Sequence, residues 1–200
     1  WMVCPEDHIR PIERLAQNLF ICAPHVSQVA ALAALDCIDE LEANRATYAA
    51  NRALMLEGIQ EVTHSVYEGL DLRAEIDALA ARGLGETLVL VEGSRVRGFA
   101  LCHIGPASEA GADTLLVKFA AVRAGPGAEG TLKTLLDACD TEAAHRGARV
   151  LMAGVNTARR ECYSTLLSCG FRGVIHGIAM HRNDEPGYSR PGVYALDDWR

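Results

Sequence analysis

The sequence predicts an α/β (α+β) chain: a mixed central sheet with helices on both faces, preceded by a helical N-terminal segment. Three observations carry this. Near residue 60 the pattern changes from helix-spaced apolar positions to short apolar runs alternating with helical stretches. Glycine-marked turns separate many of those runs. Two runs, 114–122 (TLLVKFAAV) and 148–155, are apolar enough to be buried strands, which need helices above and below them.

Each element follows from its local pattern. Residues 5–58 show no strand pattern and read as three helical pieces, broken at Pro11 and Pro24. The last, 39–57, places Leu41, Tyr48 and Met55 seven apart and is expected to end at Gly58 as a C-terminal cap. Its apolar face needs a partner, within the chain or on another subunit. Residues 61–67 are the candidate first strand. Residues 71–82 (DLRAEIDALAAR) read as a helix with Asp71 as N-cap and Gly83 as stop. Strands 87–91 and 96–104 flank Glu92-Gly93-Ser94-Arg95, a hairpin signal. A loop over 105–113 leads to the central strand 114–122. Gly125-Pro126-Gly127 breaks it, and a helix follows over 131–145. Strand 148–155, helix 157–168 and late strands at 174–181 and 193–196 complete the set. The domain division expected is 1–60, helical, and 61–200, α/β.

Composition narrows the function. Half of the 200 residues are apolar and 22% charged, which excludes a disordered or low-complexity chain. The net charge of -7 and pI near 5.5 argue against a nucleic-acid partner, because neutralising phosphates requires a basic face. No apolar run reaches the roughly 18 residues of a membrane span, so no membrane partner is expected. Of 19 basic residues two are lysines, Lys118 and Lys133, leaving 17 arginines; with heavy Ala and Gly use this suggests a bacterial source. The seven cysteines are scattered without a ligand cluster and are expected to be reduced and buried, in a cytoplasmic protein. No metal is expected. The start lacks the basic-then-apolar pattern of a signal peptide, and Trp1 ahead of Met2 suggests a fragment or an added residue.

The residues that could carry chemistry lie around the turn after strand 114–122. N–H groups at a helix start lack partners and carry partial positive charge, so a glycine-rich turn there can cradle phosphate without lysine. The same glycines also serve turn geometry alone, and both readings stand. Strand 148–155 leads to Asn156, with Tyr163 seven residues on and Gly170-Phe171 after the helix.

Taken together, VRAGPGAEG and AGVNTARRECYSTLLSCGF resemble the GNAT superfamily of acyl-CoA N-acyltransferases, over about residues 61–200. The resemblance implies acetyl-CoA as co-substrate. Its pyrophosphate would lie on the amides of Gly125, Gly127, Ala128 and Gly130, with Arg123 at the mouth. Its pantetheine would pair with strand 118–122, ending at Val122, beside Asn156. Tyr163 would protonate the departing thiolate while a neutral primary amine, on a small molecule or a protein, attacks the thioester directly. Pro126 departs from the family turn and has no N–H to donate. For the base, His103 is one candidate, with Glu86 and Glu109 flanking the sheet; a satisfied histidine on a sheet face is the other reading. His176 and His181 read as structural or surface residues.

The stretch from WMVCPED through RPIERLAQNLFICAPHVSQVAALAALD resembles part of a class I pyridoxal-phosphate aminotransferase, over residues 1–58. The family's cofactor lysine, ring-binding Asp and Tyr and substrate Arg are not matched, so the segment implies scaffold without pyridoxal phosphate. Two further functions stand beside acetyl transfer: a catalytically degenerate GNAT-like binding or dimerisation module, with a homodimer among the expectations, and an aminotransferase, which would need pyridoxal phosphate.

Overall fold

The computed structural model describes residues 4–19, 22–178 and 191–198. The chain divides into two units, Trp1–Arg52 and Ala53–Arg200, with the boundary inside the third helix.

The first unit is helical. Helix α1 (Glu6–Leu19) runs through Pro11, where the sequence predicted a break. Pro11 is the sixth residue of α1, beyond the first turn, so it forfeits the bond to the Asp7 carbonyl at a cost of about 3 kcal/mol, yet the helix continues past it. Helix α2 (His25–Leu35) begins after Pro24, whose carbonyl accepts the N–H groups of Ser27 at 3.0 Å and Gln28 at 3.2 Å. Neither helix contains a buried residue.

Helix α3 (Ile38–Val66) corrects two expectations. It does not stop at Gly58, and residues 61–67 are helical up to Val66 rather than a first strand. Gly58 serves close approach: a Cβ there would collide with Cγ2 of Val96. Beyond it Ile59, Val62 and Val66, spaced three and four apart, are buried on one helix face.

The sheet of the second unit follows from alternation. Helix α4 (Arg73–Ala81) opens with the Asp71 carboxylate accepting the Arg73 N–H at 3.0 Å, and Leu72 rather than Asp71 is the capping residue. Strands β1 (Gly85–Glu92) and β2 (Arg95–Gly105) form the antiparallel hairpin about Gly93-Ser94. Strand β3 (Gly111–Val122) pairs antiparallel with β2 along its length. Helix α5 (Ala128–His145) returns the chain, β4 (Val150–Ala153) joins β3 in parallel, and helix α6 (Arg160–Ser168) follows. Strand β5 (Ala195–Asp197) pairs antiparallel with β3. The sheet is five-stranded in the order β1-β2-β3-β4, with β5 also on β3, so the mixed α/β class is as the sequence predicts. Residues 174–178 carry no strand, and 179–181 of that expected strand, His181 included, lie outside the described residues.

Period-two alternation divides the core between two sheet faces. Phe99, Leu101, Phe119 and Ala121 face the end of α3 and α4, where Val62, Val66, Leu72 and Leu79 are buried. The Phe99 and Phe119 rings stack with centroids 5.7 Å apart. Ala100, Cys102, Val117, Ala120 and Val122 face α5 and α6, against Leu132, Leu135, Cys139 and Leu166. Each buried Leu, Val or Phe contributes about 1.5–3 kcal/mol relative to its exposed state. Three of the seven cysteines, Cys102, Cys139 and Cys162, are buried; Cys22 and Cys169 are exposed, against the expectation of buried thiols.

Candidate functional site

Strand β3 is the element around which the site is built. Leu101 pairs with Phe119 but Cys102 pairs with Val117, so Lys118 bulges out of the ladder. Before the bulge the outer edge of β3, Thr114 to Val117, pairs with β4. After it the same edge, Phe119 to Ala121, pairs with β5. This edge was expected to lie open for a pantetheine arm, and it is closed by the chain's own backbone. The Val122 N–H donates to the Tyr194 carbonyl at 3.2 Å, and the Asp198 N–H to the Lys118 carbonyl at 2.9 Å.

The glycine turn follows directly. Gly125 and Gly127 take φ of 130° and 86°, a backbone that side chains rarely adopt, and Gly127 caps α5. The Ala128 N–H, expected on a phosphate, donates to the Gly125 carbonyl at 3.2 Å. Gly130 is exposed one turn on, and together with Gly127 lines a surface hollow of ≈ 400 Å³ with Glu92, Arg97, Thr131 and Thr134. Arg123, expected at the mouth of the turn, is held by an ion pair and a backbone bond. Its guanidinium donates to the Glu61 carboxylate at 2.8 Å and its N–H to the Arg97 carbonyl at 2.8 Å. Val122 is fully buried on the α5 face.

The second loop, from β4 into α6, is shaped by Asn156. Its side-chain oxygen accepts the Ala158 N–H at 2.9 Å and its carbonyl accepts the Arg159 N–H at 3.0 Å, a local turn that starts the helix. Tyr163 is half-buried on α6, its N–H bonded to the Arg159 carbonyl at 3.0 Å. A second hollow, ≈ 500 Å³, lies between α5 and α6 and is lined by Lys133, Arg160, Glu161, Ser164, Ser168 and Tyr194 among others, but Tyr163 is not among its lining residues.

His103 stands at the other end of the sheet. It pairs with Leu116 where Gly98 pairs with Val122, five residues along β2, roughly 16 Å at the usual strand rise. Its Nδ1 is buried without a hydrogen-bond partner among the described residues. Burial holds its pKa below the ordinary 6.5; Glu109 opposes that shift and Lys118 adds to it. Lys118 donates to the Glu109 carboxylate at 2.7 Å, which with other effects holds that carboxyl below its usual range. Glu86, also flanking the sheet, pairs with Arg146 at 2.5 Å. The fold thus gathers Val122, Arg123 and the glycines at one place, and holds His103 apart from them.

Sequence reasoning missed the residues that close the β3 edge. Arg159 is fully buried and donates to the Ala195 carbonyl at 2.6 Å and to the Asp197 carboxylate at 2.5 Å. Burial pushes the Asp197 pKa up, and Arg159 opposes it. Gly154 makes room for the segment: a Cβ there would collide with the Asp197 carbonyl oxygen. Nothing local distinguishes Arg159 from Arg160 beside it; only the apolar strand 193–196, too short to stand alone, hinted that a partner was needed.

Comparisons with known proteins are sparse. No family model matches the chain. It is 34% identical over 79 residues to the valine–pyruvate aminotransferase of Mycobacterium tuberculosis, a match covering 38% of this chain. The chain thereby spans about a fifth of that relative's length, 19%. Among solved structures it is similar to TTHA1254 from Thermus thermophilus, in the wild type and in a mutant. Each shares 22% identity with a TM-score of 0.47, over 63% of this chain and 91% of that one.

Proposed function

We propose that the second unit is a GNAT-type acetyl-CoA-dependent N-acetyltransferase domain. It would move an acetyl group to a primary amine, on a small molecule or a protein, by direct attack on the thioester. The observation that carries this reading is the order bulged strand, glycine turn, helix start: Lys118, then Gly125 and Gly127 at positive φ, then α5 with an exposed Gly130 beside a hollow. Such a helix start attracts phosphate through its N–H groups and dipole. A co-substrate with phosphates at one end and a thioester at the other requires its two sets of groups to stand apart along a strand. The turn and His103 do so.

In this reading Gly125, Gly127 and Gly130 line the phosphate end, and Asn156 stands near the arm. His103, kept neutral by burial, would accept the amine proton, and Tyr163 would return one to the thiolate. Residues 1–58 would be scaffold without chemistry of their own. The test is thiol release from acetyl-CoA with a panel of primary amines. Turnover that falls about 100-fold or more in Tyr163→Phe is expected; turnover unchanged by that substitution would remove the assigned acid.

A second reading, a GNAT-like binding or dimerisation module without turnover, is favoured by one observation: β5 already lies on the edge the arm would need. No turnover with any amine, with a dimer in sedimentation, would select it.

A further inference from the structure

Strand β5 is short, yet it is held from three sides. Its residues pair with Phe119, Ala120 and Ala121 of β3. On the other side the Asp197 N–H donates to the Gly154 carbonyl at 3.0 Å, just past the end of β4. The segment is therefore wedged into the gap where β3 and β4 part. Beneath it Arg159 holds Ala195 and Asp197, and Val193, Ala195 and Leu196 are buried. Three strand residues bring few ladder bonds, so the buried ion pair is the specific lock. Such a pair gains little over apolar packing, because both charges lose water, but removing one partner is strongly unfavourable. A strand held this way closes the β3 edge, so another partner could pair there only by displacing it.

We propose that residues 193–198 form a built-in strap over the acyl-CoA groove, displaced when the pantetheine arm of an acyl-CoA pairs with β3 between Lys118 and Val122. This rests on the acetyl-CoA reading above and adds its regulation. A closed population lowers apparent affinity in proportion to the open fraction, so the strap acts on ligands that carry the arm and not on those that lack it.

The discriminating ligand pair is acetyl-CoA against adenosine 3′,5′-bisphosphate, which keeps phosphates and lacks the arm. Hydrogen exchange of the unaltered protein is measured with each. Acetyl-CoA is expected to speed exchange at the Asp197 and Asp198 amides, which belong to the strap, and the bisphosphate to leave them unchanged. Calorimetry then compares the parent with Arg159→Met, which strands Asp197 and expels the strap, and with Arg159→Met/Asp197→Leu, which restores an apolar fit. Acetyl-CoA binding about tenfold tighter in the single variant, returning to the parent value in the double, is expected, with bisphosphate affinity constant throughout. Acetyl-CoA that binds without deprotecting the strap overturns the strap and leaves the acetyl-CoA reading standing. Absence of acetyl-CoA binding in all three proteins overturns that reading, and the strap proposal with it.

Discussion

Residues 4–52 and residues 53–198 use similar apolar side chains to different effect. Leu32 in α2 is 66% exposed, and α1 and α2 contain no buried residue. Leu132 in α5 has no exposed surface and packs with Leu135, Leu136 and Cys139 against the sheet. Both helices satisfy a helical pattern. Helical periodicity therefore says which residues share a face, and says nothing of whether that face has a partner.

The sharpest way to break this contrast is truncation on each side. Leu132→Ala should cost about 2–5 kcal/mol in urea unfolding, because it leaves a cavity under the sheet. A value near zero would mean that the α5 face is not core. Gly154→Ala comes next. Its methyl would press on the Asp197 carbonyl, and a loss of about 1–3 kcal/mol is expected. The loss should appear with faster exchange at Asp197.

A smaller effect follows from His103. Its folded-state pKa lies below 6.5, since burial outweighs Glu109 and Glu75 and acts with Lys118. The unfolded chain thus binds a proton more readily. Stability should be full above about 6.5 and fall as pH drops from there toward the lower folded pKa. His103→Gln should flatten that segment of the curve; an unchanged slope would assign it to other groups. The smallest effect is expected for Leu32→Ala, within about 0.5 kcal/mol. A loss comparable with Leu132→Ala would show that α2 has a partner and would erase the contrast.

Much of the second unit was legible because its signals are local. The hairpin at Gly93-Ser94, the apolar β3, the glycine turn and α5 each follow from a few adjacent residues. Two errors came from residues that fit more than one pattern. Residues 61–67 (EVTHSVY) carry the β-branched Val62, Thr63 and Val66 that strands favour, yet Ile59, Val62 and Val66 also fall on one helix face, and burial against the sheet decides for the helix. Gly58 looked like a cap and is a point of close approach to Val96. In the candidate site the turn was legible and its neighbour was not. Arg159 reaches Asp197, 38 residues away, through side chains alone. No periodicity or turn rule records such a pair, so the closed β3 edge could not be foreseen.

Under the proposed function, the turn at 125–130 would hold the phosphate end of acetyl-CoA. Calorimetric titration of acetyl-CoA into the parent and into Gly127→Glu tests it most directly. Saturable binding in the parent, lost when a carboxylate stands at the helix start, is the result predicted. Equal binding by both proteins, or none by either, would contradict the claim.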